Sequence, residues 1–209
     1  MGFDEMACGL TTVIASSGRP ELLRRTLESL AACRKPAIYR ATIIVENGGK
    51  AGAEDVVRGS DACLNARYLY ERRANKCHAL NVALEHVAGG LIFFTDDDVR
   101  IHPDTLCAYA DAAASADGGQ FFGGPIGVDY DVEPPEWLRP YLPPSARGLQ
   151  LENALQPIET PVFLGFNWAA FVNDLREAGG FDASLGPGAT TGSSVGDETE
   201  MQARLLTNG

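Results

Sequence analysis

Apolar and polar positions alternate between two rhythms along the first half of this chain. Short continuous apolar runs at Leu10–Ala15, Ala41–Val45, Arg67–Tyr70 and Leu91–Thr95 read as strands, those at the centre buried on both faces. Between them, apolar residues recur at helical spacing. Leu23, Leu27, Leu30 and Ala31 form one stripe on a helix opened by Pro20, where a missing N–H costs nothing. Leu80, Ala83, Leu84 and Val87 form another on a helix from Asn75 to about Val87, stopped by Gly89-Gly90. A shorter helix is expected over Glu54–Arg58. Strand and helix in alternation predict a parallel sheet with right-handed crossovers.

The second half is less regular. A helix is expected from His102-Pro103 to about Ala116, then a glycine-interrupted strand over Gln120–Val128. From Asp129 to Pro161 prolines recur and no period holds, which marks a functional or mobile connection. Trp137, Leu138, Tyr141 and Leu142 either cover a pocket there or anchor the segment to the core. An aromatic-rich strand is expected at Val162–Phe171 and a short helix at Asn173–Ala178. A loose loop at Gly186–Gly196 follows, and a final helix over Met201–Leu206 is preceded by the acids of Gly196–Glu200. The chain is read as a single domain over residues 1–209. Residues 1–128 form its more regular half and residues 129–209 its less regular half.

Charge narrows the partners. The net charge is -11, from 17 basic and 28 acidic residues. That argues against a nucleic-acid backbone, whose binding rests on lysine and arginine. Cys8, Cys33, Cys63, Cys77 and Cys107 are scattered without a Cys-x-x-Cys pair, which argues against zinc and disulfide frameworks and suits a reducing cytosol. Met1–Leu10 carries Asp4 and Glu5 and is not a signal peptide. No run reaches the roughly 20 apolar residues of a membrane span. The expectation is a cytoplasmic protein without an integral membrane segment, associated with membranes only through an acceptor or partner.

The candidate chemistry gathers at strand ends. Leu91–Thr95 runs into Asp96-Asp97-Asp98 at the end of a sheet strand where α/β folds bind ligands. Three adjacent acids need positive charge nearby. Alternation puts Asp96 and Asp98 on one side and Asp97 on the other. Two same-side carboxylates suit Mg²⁺ or Mn²⁺; a solvated acidic turn is the plain alternative. The loop Ser16-Ser17-Gly18-Arg19 between a strand and a helix N-terminus can cradle an anion. Glu46 and Asn47 end the second strand beside Gly48-Gly49. Lys76 lies at a helix start, where a solvated side chain is the default. Acids in a first helical turn, as at Asp197-Glu198, are also favoured by the helix dipole alone.

Taken in order, these stretches resemble the family 2 glycosyltransferases, which have the nucleotide-sugar-binding GT-A fold. The resemblance runs from about Leu10 to Leu206. It is carried by Val13–Leu23, Ile43–Gly48, Phe93–Val99, Gly165–Phe171 with Gly179–Asp182, and Gly196–Glu200. It implies a Rossmann-like α/β sandwich, with a mostly parallel central sheet and helices on both faces, in which residues 1–128 would be the nucleotide-sugar-binding half and residues 129–209 the acceptor and catalytic half. It implies metal-dependent, inverting transfer of a sugar from a UDP, GDP or dTDP sugar to a hydroxyl of a glycan, lipid-linked sugar or small molecule. Ser16, Ser17 and Arg19 would hold the nucleotide with Glu46 and Asn47, Glu46 standing where the family has a base-contacting Asp. Asp96 and Asp97 would lie by the nucleotide, with Lys76 facing it. Asp98, with Asp96, would bind Mn²⁺ or Mg²⁺. The catalytic base would be Glu198 by position, with Asp197 a second candidate because the family's Glu-Asp order is swapped.

Such chemistry needs a Lewis acid for the leaving diphosphate and a carboxylate base for the acceptor. Family members continue past the last helix, with a histidine that joins the metal site. Here no histidine follows His102, so the expectation is a truncated acceptor half or a metal site short of one ligand. A non-catalytic nucleotide-sugar-binding protein of the same fold is the alternative reading. A haloacid-dehalogenase-type phosphatase would want Thr or Val where Arg100 stands. A calcium loop lacks its fifth-position ligand at Arg100, and a nucleotidyltransferase lacks its Lys-bearing glycine loop at Ser16–Pro20.

Overall fold

Six strands form one sheet in the order β3-β2-β1-β4-β6-β5. They are β1 (Leu10–Ser16), β2 (Tyr39–Asn47), β3 (Ala66–Glu71), β4 (Leu91–Asp96), β5 (Phe121–Gly123) and β6 (Trp168–Phe171). The structure is a computed structural model that describes residues 9–116, 118–151, 155–157 and 160–208. Cys8, the N-terminal leader reading and parts of the Asp129–Pro161 segment lie outside the described residues. The strands β1 to β4 run parallel, and β6 joins β4 antiparallel and carries β5 antiparallel at the edge. The expected mostly parallel α/β sandwich is the observed fold.

Helices cover both faces, which is why the central strands are apolar throughout. On one face lie α1 (Pro20–Ala32), α2 (Ala53–Arg58) and α4 (Thr105–Ala113), bringing Leu23, Leu27, Leu30, Val57 and Leu106 onto Leu10, Ile14, Ile44, Leu91 and Phe93. On the other lie α3 (Lys76–His86), α6 (Val172–Glu177) and α7 (Asp197–Asn208), which cover Val13, Ile43, Val45, Ile92 and Phe94. A four-residue α5 (Pro144–Arg147) sits within the proline-rich segment. Successive residues of β4 therefore belong to opposite cores: Leu91 and Phe93 to the first, Ile92 and Phe94 to the second.

Three elements differ from expectation. The strand expected over Gln120–Val128 is reduced to Phe121–Gly123, with one isolated bridge from Ile126 to Leu149. Pro125 has no N–H to extend the ladder, and the Phe163 ring fills the space a side chain at Gly123 would need. The strand expected from Val162 begins only at Trp168. Before it, Phe163 pairs with a side chain instead of a strand: its N–H donates to Gln202 Oε1 at 3.2 Å and its carbonyl accepts from Gln202 Nε2 at 2.9 Å. The last helix starts at Asp197, so the acids form its first turn, as the dipole favours.

The aromatic core near the sheet's centre fixes β4 against β6. Phe94 stacks on Trp168 at 4.8 Å between centroids and meets Phe181 edge-on at 5.5 Å. Trp168 is 1% exposed, so it is a core residue and offers no face to a sugar. By contrast Trp137 and Tyr141 are 70% and 79% exposed and lie outside the core. Phe94→Ala should cost about 3–5 kcal/mol of stability, read as a lower urea midpoint with unchanged slope.

Candidate active site

The ends of β1, β2 and β4 open onto a cleft of about 220 Å³, lined by Ala15, Ser17, Arg19, Asn47, Lys76 and Asp96, and walled by Ala74, Pro187 and Gly188. Sheet parity selects these residues. Ala15 pairs with Val45 and with Asp96, so those side chains share the α3 face. Ser16, Glu46 and Asp97 alternate to the other face and are buried at 2%, 1% and 0% exposure.

Three residues expected at the nucleotide are thus engaged beneath the cleft. Asp97 accepts a 2.6 Å hydrogen bond from Ser16 Oγ and is ion-paired with Arg19. Glu46 closes the β2–α2 turn. Its Oε1 accepts from the amides of Ala51 and Ala53 at 2.6 and 3.3 Å, and its Oε2 accepts from the Tyr68 hydroxyl at 2.6 Å. Burial opposes the charge of Glu46, but these donors outweigh it and hold the carboxyl below its ordinary range. With both oxygens committed, Glu46 is buried and does not line the cleft. Its neighbour Asn47 lines the cleft instead, with Nδ2 donating to the Ser16 carbonyl at 3.2 Å.

The positive charge that the three acids need comes from two side chains. Lys76 Nζ donates to Asp96 Oδ1 at 2.7 Å, and Arg19 Nη1 donates to Asp98 Oδ2 at 2.6 Å. Lys76 opens α3, whose N-terminus is capped by Asn75 Oδ1 accepting from the His78 amide at 3.0 Å. Asn75 Nδ2 donates to the Ala183 carbonyl at 3.0 Å, and the Lys76 amide to the Pro187 carbonyl at 3.0 Å. These bonds stitch the start of the Gly186–Gly196 loop to α3. Gly188, at φ +85°, lies so close to the Ala74 carbonyl that any Cβ would collide with it. The sequence reading missed this wall. Its signals were the Gly-Pro-Gly run and the Asn cap.

Lys76 also ties the strand-end acids to the pair on α7. A Cβ at Gly165 would lie 3.4 Å from Lys76 Nζ and 3.2 Å from Glu198 Cδ, so both groups crowd against the bare glycine. Burial works against the Lys76 charge, but Asp96, Asp197 and Glu198 outweigh it and hold the ammonium above its ordinary value. Glu198 accepts a 3.3 Å bond from the Gly165 amide. Burial first, then the hydrogen bond and charge of Asp197, push its carboxyl up to about 7. Asp197 is 3% exposed, pressed under Gly186, and its Oδ2 has no hydrogen-bond partner among the described residues. Glu198 is half-buried and is the more accessible of the two.

For a divalent cation, Asp96 and Asp98 are hard oxygen donors of the right chemistry. Among the described residues no group of three or more His, Cys, Asp or Glu could hold a metal ion. The residues therefore fit such an ion only with oxygens from a diphosphate and water completing its shell. No described helix is long and apolar enough to cross a membrane.

Solved structures with this architecture come from distant proteins. The mannosyltransferase PcManGT from Pyrobaculum calidifontis, in complex with GDP-Man and Mn²⁺, is 21% identical with a TM-score of 0.63, over 95% of this chain and 52% of that one. S. aureus TarS 1–349 in complex with UDP-GlcNAc is 14% identical with a TM-score of 0.71, over 96% of this chain and 54% of that one. The chain thus spans about half the length of these structures. Among curated proteins none matches it. The family model for glycosyl transferase family 2 matches residues 11–179, which hold most of the sheet and the cleft residues from Ala15 to Asp96, and the chain belongs to that family.

Proposed function

We propose that the protein transfers a sugar from a nucleotide-diphosphate sugar to an acceptor hydroxyl, with a divalent cation and with inversion. One observation carries this reading: Lys76, hydrogen-bonded to Asp96 on the cleft, lies across the bare Gly165 from the half-buried Glu198. A donor diphosphate over Asp96 would then lie beside a carboxylate with its proton affinity near neutrality. The neighbours bound to GDP-Man and UDP-GlcNAc support a nucleotide sugar as ligand.

In this reading Ser17, Arg19 and Asn47 bind the nucleoside diphosphate, and Asp96 and Asp98 hold Mn²⁺ or Mg²⁺ jointly with it. When bound, the cation supplies Lewis-acid neutralisation of the leaving diphosphate. Asp97, with Ser16, positions Arg19 from below, and Glu46 shapes the turn without touching the donor. Glu198 takes the proton from the acceptor hydroxyl as that oxygen attacks the anomeric carbon. Attack opposite the leaving group inverts that carbon. Asp197 hydrogen-bonds Glu198 and raises its basicity, so it acts as a positioning residue. The acceptor enters between the Asp129–Pro161 segment and the Gly186–Gly196 loop.

Calorimetric titration with UDP, GDP and dTDP, each with and without Mn²⁺, tests the ligand class. One nucleotide is expected to bind tightly and to need the metal; a folded sample that binds none of the three would support a non-catalytic protein of this fold. Glu198→Gln is expected to keep nucleotide affinity and to lower kcat about 10²–10⁴-fold. Wild-type transfer should rise with pH and level off above about 7, where Glu198 is deprotonated. Stability should run the other way. A carboxyl with a raised folded-state pKa loses its contribution as pH climbs from the ordinary carboxylate range through about 7. Glu198→Gln does not titrate, so relative to wild type it should gain about 1–3 kcal/mol between pH 4 and pH 8, measured by denaturant melts at both.

A further inference from the structure

Both acids that the metal reading needs are already occupied by cations. Lys76 holds Asp96 and Arg19 holds Asp98. The two cations differ in freedom. The Lys76 side chain is 17% exposed and lies among three carboxylates, so leaving Asp96 would strand it near Asp197 and Glu198. The Arg19 side chain is 46% exposed and spans two neighbouring carboxylates, with one edge on Asp98 and the other on Asp97. Asp97 is fully buried and fixed by Ser16 Oγ, while Asp98 is 38% exposed. The guanidinium thus has a fixed anchor and a releasable contact. It also lines the cleft that a diphosphate would fill. Planar guanidinium groups bind phosphate oxygens through paired hydrogen bonds.

A divalent ion on Asp98 and a guanidinium 2.6 Å from the same carboxylate repel each other and compete for the same oxygens. We propose that Arg19 is an internal counter-cation that a divalent metal must displace from Asp98, and that the nucleotide's diphosphate receives the displaced side chain. Metal and nucleotide then bind interdependently, and Arg19 carries the coupling. This rests on the metal-and-nucleotide reading of the cleft. It explains how three adjacent acids stay folded without metal: Arg19 and Lys76 neutralise them until a ligand arrives.

The test measures free Mn²⁺ by electron paramagnetic resonance, with the whole chain alone and with the nucleoside diphosphate that titrates best. Wild type should take up Mn²⁺ weakly alone and much more tightly with nucleotide. Arg19→Gln should bind Mn²⁺ alone about tenfold more tightly, and nucleotide should enhance that uptake less; by reciprocity, Mn²⁺ should lose the same factor in its enhancement of nucleotide binding. Arg19→Lys keeps the charge but not the two-carboxylate bridge, and should fall between them. Circular dichroism confirms that each variant is folded. Folded Arg19 variants with wild-type or weaker Mn²⁺ affinity, while Asp98→Asn abolishes uptake, would overturn the proposal and leave the metal site standing. Unchanged Mn²⁺ uptake by nucleotide-loaded Asp98→Asn would overturn the metal site itself, and the proposal with it.

Discussion

The site depends on cancelling negative charge at the end of one buried strand. Asp96, Asp97 and Asp98 follow β4 directly, and the acid pair of α7 lies just across Lys76. Without cations this concentration of carboxylates would protonate or unfold the strand end, since unpaired buried charge costs several kcal/mol. Lys76 meets the demand from α3 and Arg19 from the start of α1. Much of the local architecture serves these two side chains. The Asn75 cap fixes the turn from which Lys76 reaches down, Gly165 leaves space for its ammonium, and Asp97 with Ser16 pins Arg19.

Strand alternation then distributes the polar residues between chemistry and scaffold. Asn47 and Asp96 share the α3 face and line the cleft, whereas Glu46 and Asp97 turn to the α1–α2 face and are consumed by internal bonds. Neighbours in sequence thus have opposite fates. The same logic separates Glu198 from Asp197 on the first turn of α7: one lies half-buried beside Gly165, the other is pressed beneath Gly186. A carboxylate whose proton affinity is raised by burial and by a second carboxylate suits general-base work near neutral pH, and this pair has that form.

The fold class, the strand-end acids and the need for positive charge beside them were legible in the chain alone. A four-residue apolar run between helical stripes reads as a strand covered on both faces, and alternation already separates Asp97 from its neighbours. The ends of α7, β5 and β6 were less legible. There a side-chain amide, Gln202, replaces a strand partner at Phe163, and no local pattern announces such an exchange.

Only the tertiary structure decided which residues the cleft receives. Period two says that Glu46 and Asn47 point apart, but which of them meets the cleft depends on the helices that cover each face. Arg19 and Asp98 are 79 residues apart and Lys76 and Asp96 are 20 apart, so their pairing appears only once β1, β4 and α3 are brought together. The sequence by itself determined a doubly covered parallel sheet with acids at its rim. The packing of distant elements decided which acids face a ligand, which are buried for structure, and which cations hold them meanwhile.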